Sequence, residues 1–370
     1  MTLARQTAAA FAPFLAGPRT PGAARRFVTS RGSLVPALAA LLALAACAPE
    51  PPPPAPAPPP PVAAPAAVPA PAARPDSARQ AQLQAQLRRD RAQAARAAAA
   101  RPAETTPASQ TMTSYLANIQ DSLLARGLLR TDNGASLGPS TTAQLTEDFV
   151  HIALRDEYQM QNGRLVPRSN PAPLRRWDMP VRMSVEFGAS VAPATRTRDR
   201  AMIGDFAARL GRITGHDIAL TGGRGNFVVM VLSEDERRAI GPRLSALIPG
   251  IPSSDLRAVE SLSPQNYCTV FAYSPGPAAA YSNAVAIIRA ELPDRLRLSC
   301  VHEELAQGLG LANDSPEARP SIFNDDEEFA LLTAHDELLL KMLYDPRLRV
   351  GMLEAEARPG VEQIARELEQ

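Results

Sequence analysis

The chain has 370 residues, 37 of them proline, and a formal net charge of +1. That length allows one or two domains, and less foldable chain than it implies, because the prolines crowd near the N-terminus. A near-neutral balance lacks the electrostatic footprint that a nucleic-acid partner requires, so no nucleic acid is expected.

Ser33–Ala46 (SLVPALAALLALAA) is a short apolar run behind Arg25, Arg26 and Arg31. It is too short to span a bilayer and is laid out as a secretory signal. It ends in Leu44-Ala-Ala-Cys47, which resembles a bacterial lipobox. That resemblance implies cleavage before Cys47 and a lipid on that cysteine, making residues 1–46 a lipoprotein signal peptide. The stretch before Arg25 is long for such a peptide and suggests initiation near Val28. Ala48 follows the cysteine with no retention-type aspartate. The expected location is therefore the cell envelope, anchored to the periplasmic face of the outer membrane.

Residues 47–76 are almost wholly proline and alanine. They predict a disordered, extended polyproline tether that reaches on the order of 90 Å at ~3.1 Å per residue. Residues 77–111 form a spacer. Within it Ser77–Arg101 is rich in helix formers, with only Leu83 and Leu87 as sizeable apolar residues, and reads as a solvated helix or disordered segment. An arginine-rich surface for anionic lipid or cell-wall polymer is the sharper alternative.

Order is expected from Met112, in a domain over 112–352 with a helical lead-in (112–176) and a tail over 353–370. Helices are predicted at Ser114–Arg126 and Thr142–Tyr158 from their amphipathic spacing. A strand at Met179–Gly188, a helix at Arg198–Thr214 and strands at Asp217–Leu220 and Phe227–Leu232 follow. The glycine cluster Thr221–Asn226 reads as a hairpin loop between the last two strands, since a phosphate loop would open a helix. A helix over Ser233–Leu247 and strands at Tyr267–Tyr273 and Ala284–Ala290 lead into the helix that carries the main motif.

That motif runs from Glu303 to Asn313 as E-E-x-x-Q-x-x-G-x-x-N. Residues four apart share a helix face, and a glycine then lets the chain reverse and deliver a third side chain to the same point. The spacing resembles H-E-x-x-H-x-x-G-x-x-H of the metzincin zinc proteases, with each histidine replaced. The resemblance puts Glu303, Gln307 and Asn313 at the ligand positions, Glu304 at the catalytic glutamate and Gly310 at the turn. It continues at Ser321-Ile-Phe323, where metzincins place a Ser-Ile-Met turn beneath the metal. Leu332-Thr-x-x-Asp336 through Leu343-Tyr344 is similar to the closing helix of the matrix and serralysin-type enzymes. The implied fold is mixed α/β, a twisted zincin-like sheet packed by helices. The layout is also similar to an uncharacterised family of bacterial envelope lipoproteins.

One carboxylate with two carboxamides is a poor zinc site. The leading expectation is a hydrogen-bonded network in place of the metal, no cofactor, and a non-catalytic module that binds a protein or cell-wall partner through the old cleft. The alternative is a metallohydrolase with an oxygen-ligated divalent ion and Glu304 as general base. On the helical wheel Glu303, Gln307 and Gly310 share a polar face turned to that cleft, and His302 falls toward the apolar side as a core-edge histidine. No serine or cysteine triad is visible around His151, His216 or His335. With Cys47 given to lipid, Cys268 and Cys300 are left to pair in an oxidising compartment.

Overall fold

The structure, a computed structural model, describes residues 105–161, 164–275 and 279–369, with residues 82, 84–91 and 93. The expected signal peptide, Cys47 and the Pro/Ala tether lie outside the described residues. Before residue 105, residues 84–91 are helical and exposed except for half-buried Ala85. A helix without a buried side is what a stretch poor in large apolar residues can form.

The rest is mixed α/β, as expected. Helix α1 (Pro107–Ala125) is N-capped by Thr106 and so starts before Met112. Helix α2 (Thr142–Ala153) opens with a Thr141/Gln144 capping box. It does not run on to Tyr158. The chain leaves the helix at Leu154 and forms an antiparallel hairpin, β1 (Arg155–Gln161) with β2 (Arg164–Pro171). The pair between them, Asn162-Gly163, is the dipeptide most favoured in two-residue hairpin loops, a signal missed in the sequence.

Next come β3 (Arg176–Trp177), β4 (Val181–Phe187), α3 (Pro193–Thr214), β5 (Ile218–Leu220) and β6 (Phe227–Leu232). The helix expected over 233–247 is two, α4 (Glu234–Arg238) and α5 (Gly241–Leu247). Pro242 opens the second, since it has no N–H to continue the first. Helix α6 (Ser253–Glu260), strands β7 (Cys268–Tyr273), β8 (Ala280–Tyr281) and β9 (Asn283–Arg289), and the motif helix α7 (Asp294–Gln307) follow. Helices α8 (Ala334–Leu343) and α9 (Glu354–Glu369) come last. Residues 353–370, set apart as a tail, therefore hold a helix. Its Ala357, Val361, Ile364 and Ala365 lie in the main core at helical spacing.

The main sheet has the order β5-β4-β6-β9-β7. Strand β4 pairs parallel with β5 and β6, β6 pairs parallel with β9, and β7 runs antiparallel to β9. The expected β5–β6 hairpin is wrong: both strands run alongside β4, one on each side. Leu220 and Phe227 both register with Met183, so the intervening loop crosses β4 at that level. It crosses so closely that a Cβ on Gly225 would fall 2.3 Å from the Arg182 carbonyl oxygen.

Every residue of β6 (FVVMVL) is buried because both faces of the sheet are covered. On one face Val229 and Val231, with Met183 and Ile288, belong to the main core with α3, α7 and α8. On the other, Val228, Met230 and Ile287 meet Leu244 and Leu247 of α5 and Val259 of α6. A buried ionic knot fastens this second layer. Glu234 pairs with Arg289 and, at 2.9 Å, with Arg237. Arg289 also donates to the carbonyls of Asn266, Leu262 and Ser263 at 3.0, 3.0 and 2.9 Å. Burial works to raise the Glu234 carboxyl, but the hydrogen bonds and charges of its arginines outweigh it and hold it below the usual range.

The disulfide expected from the cysteine count is present. Cys268 at the start of β7 bonds Cys300 on α7, with Cα atoms 5.9 Å apart. It ties the motif helix to the edge of the sheet. Among the described residues no helix is long and apolar enough to cross a membrane.

Candidate functional site

The motif helix ends at Gln307, and two residues then shape the turn. Gly308 lies against Phe227, where a Cβ would come within 2.5 Å of the ring. Gly310 has φ +129°, and a Cβ there would fall 2.3 Å from the Arg175 carbonyl oxygen. Glycine is required at 310 on both counts. The indole N–H of Trp177 donates to the Gly308 carbonyl at 2.9 Å, and the Tyr344 hydroxyl donates to that of Leu309 at 3.1 Å. The chain reversal that the spacing predicts is thus built and clamped from two sides.

The motif side chains do not face an open cleft. Every residue from Ser299 to Gln307 is buried. Exposure is 4% at Glu303, 0% at Glu304, 2% at Gln307 and 5% at Asn313. Gln307 Nε2 donates to Asp314 Oδ1 at 3.2 Å. Asn313 Nδ2 donates to the His151 carbonyl at 2.7 Å, and its backbone N–H donates to that of Ile152 at 3.0 Å. A carbonyl, like an ionised carboxylate, only accepts, so each amide presents its NH₂ to its partner. Donation through NH₂ ties both side chains to neighbouring protein groups, while Gln307 Oε1 stays buried with no hydrogen-bond partner among the described residues. Among the described residues no three His, Cys, Asp or Glu side chains converge in a way that could hold a metal ion. The donor set does not fit zinc.

The Ser321–Phe323 turn is fixed by one buried carboxylate. Ser321 Oγ donates to Asp336 Oδ1 at 2.5 Å, and the backbone N–H groups of Ile322 and Thr333 donate to Oδ2 at 3.1 and 2.8 Å. Phe323 N–H donates to Ser321 Oγ at 3.0 Å, and the Phe323 ring is fully buried in the main core. Leu332-Thr-x-x-Asp336 is accordingly a capping box: Thr333 and Asp336 close the N-terminus of α8. Burial raises the Asp336 carboxyl above its ordinary value, against the hydrogen bonds from Ser321 and Thr333.

His302 occupies the core edge, as the wheel predicts. Its Nδ1 accepts from Leu332 N–H at 3.0 Å, and its ring stacks on Phe206 with centroids 3.9 Å apart. Burial, with a smaller contribution from Arg209, pushes its pKa down to about 3. The ring is neutral, with Nδ1 as the acceptor and Nε2 carrying the proton.

A serine–histidine–aspartate trio that the sequence did not disclose is present. Ser140 Oγ lies 2.7 Å from His335 Nδ1, and His335 Nε2 lies 3.0 Å from Asp148 Oδ2 but outside hydrogen-bond geometry. Only the fold reveals it, since Ser140 and His335 stand 195 residues apart. The backbone N–H groups next to the serine, which an oxyanion would need, are taken. Thr141 N–H donates to Gln144 and Thr142 N–H to Glu369. The trio joins the loop before α2, α2 itself and α8.

Fold and site together define a mixed α/β domain whose polar centre is sealed within its core. Residues 142–363 match the family described as protein of unknown function (DUF2927), and the chain belongs to that family. No curated protein and no solved structure matches it.

Proposed function

We propose that the chain is a membrane-tethered envelope lipoprotein whose metzincin-like domain binds a protein or cell-wall partner and does not hydrolyse it. The observation that carries this reading is the use of Gln307 and Asn313 as buried proton donors to Asp314 and the His151 carbonyl. A hydrolytic centre needs an electrophile or an activated water in reach of substrate. Here the general-base position, Glu304, is 0% exposed.

Several features support the metzincin-like ancestry. From β4 to α7 the chain runs strand, helix, two strands, connecting helices, strands and then the motif helix, in the order the resemblance implies. The glycine turn, the Ser321–Phe323 turn and the capped closing helix stand at the matching places. The apolar run, the lipobox at Cys47 and the Pro/Ala tract support export and a tether.

The test restores histidine at the three ligand positions, E303H/Q307H/N313H, keeping Glu304. Spacing sets the geometry and residue type sets the metal, so the variant should bind zinc stoichiometrically while the parent does not. A folded triple variant with no zinc affinity would remove the support for the ancestry. Metal-dependent peptide cleavage by the parent, lost in Glu304→Gln, would overturn the non-catalytic reading. The tether is tested by Cys47→Ser, which should abolish membrane fractionation.

A further inference from the structure

Outside the motif region, a cavity of about 410 Å³ opens where β4 runs past the end of β5. Strand β5 pairs only with Val181–Met183, which leaves Ser184–Phe187 unpaired on that side. Into this gap come basic side chains from separate elements. Arg200 of α3 donates to the Val185 carbonyl at 3.1 Å and lies over the Phe187 ring. Arg243 of α5 grips Glu186 with its fork, donating through Nε at 3.0 Å and also through Nη2. Arg224 comes from the loop that crosses β4 and is exposed.

The lining holds three arginines and one carboxylate, Glu186, so two positive charges are uncompensated. Polar groups of the right sense surround them. Thr221 Oγ already accepts from Gly223 N–H at 3.1 Å, which frees its own proton for a ligand. Ser184 adds a second hydroxyl to the wall. A Cβ on Gly222 would meet nothing within 4 Å, so the space above the loop is open. Val228 and Leu247 give the far wall an apolar surface.

We infer that this cavity binds a phosphate-bearing group, best a phosphomonoester dianion, through Arg200 and Arg224, with Arg243 held in the wall by Glu186. The two uncompensated charges match a dianion, where a single carboxylate would leave one of them unmatched. Guanidinium forks pair two oxygens at once, and the hydroxyls supply the further donors that a phosphate can fill. The volume lies within the range of small-ligand sites, with room beyond the phosphate for a sugar- or glycerol-sized body. The crossing loop works here through its side chains and open space; it leads into a strand and is no phosphate loop. The site rests on residues separate from the motif, so it stands or falls independently of the non-catalytic reading.

The phosphate can belong to a free metabolite or to a lipid headgroup, and two arms separate the sources. The full-length protein is titrated calorimetrically with glycerol 3-phosphate, and in parallel is co-sedimented with phosphatidylcholine vesicles with and without phosphatidic acid. Each arm is repeated with Arg200→Gln/Arg224→Gln and with Arg224→Gln alone, whose side chain is exposed, and the melting temperature of each variant is measured to confirm folding. Binding by the parent that falls about tenfold or more in the double variant supports the site. Binding in the soluble arm identifies a free phosphomonoester, and a phosphatidic acid-dependent increase alone identifies a headgroup. No binding in either arm, or equal binding by parent and a folded variant, overturns the proposal.

Discussion

Replacing Gln307 separates a structural network from a degenerate metal site. In Gln307→Ala, Asp314 loses a charge-assisted hydrogen bond. Asp314 is half-buried and water can partly replace the donor, so this loss sits near ~1.5 kcal/mol. A side chain only 2% exposed also leaves a small cavity, adding about 1 kcal/mol for the lost methylene. Removing the buried, unpartnered Oε1 offsets part of this, and the expected cost is roughly 1–3 kcal/mol. Denaturant unfolding followed by fluorescence suits the measurement, because the one tryptophan, Trp177, is bonded to Gly308 in the adjacent turn. Gln307→Glu sharpens the contrast. A second carboxylate set against Asp314 would be repelled and desolvated, raising its folded pKa above the unfolded ~4.3. The folded state then binds more protons, so the variant is destabilised at neutral pH and recovers as pH falls. A site built for a cation would respond the other way, with Gln307→Glu gaining stability when a divalent metal is added. That gain would refute the network.

Other outcomes follow from the same contacts. Cysteines 32 residues apart close a loop whose constraint is worth about 4 kcal/mol in the chain-entropy account; Cys268→Ser should lower stability by up to that amount, and the unfolded, non-reduced parent should show no Cys268 or Cys300 thiol to labelling. Glu234→Gln leaves Arg289 and Arg237 buried without their carboxylate and should cost roughly 3–5 kcal/mol in denaturant unfolding. His302 has a folded pKa of about 3, below the ~6.5 of the unfolded chain. The unfolded state therefore binds the extra proton, and stability should fall as pH drops from about 6.5 toward 3. His302→Gln keeps an acceptor for Leu332 N–H and should flatten that part of the pH profile; an unchanged profile would remove His302 from it.

Local signals in the sequence carried far where the physics is local. The turn at Gly310 was legible because spacing and glycine together dictate a reversal, and the buried run FVVMVL was legible as a strand. Asp336 was seen only through its family likeness; its work as a cap for α8 and an acceptor for Ser321 needs two segments brought together. The β5–β6 hairpin failed because two short apolar runs separated by glycines look the same whether they pair with each other or with a third strand between them. Ser140, Asp148 and His335 carry no common motif and meet only through tertiary packing. The burial of Glu303 and Glu304 was equally hidden. A polar helix face signals a cleft when read alone, and it takes the surrounding loops to show that the face is covered.

The central claim is that Gln307 and Asn313 serve as buried donors in place of a metal. Elemental analysis of protein purified without added metal, combined with melting curves in the presence and absence of a chelator, tests it most directly. The account predicts substoichiometric zinc, and no other divalent ion at one per chain, with a melting temperature indifferent to chelation. One equivalent of tightly held metal, lost in Glu303→Ala and accompanied by a chelator-sensitive melting temperature, would contradict it.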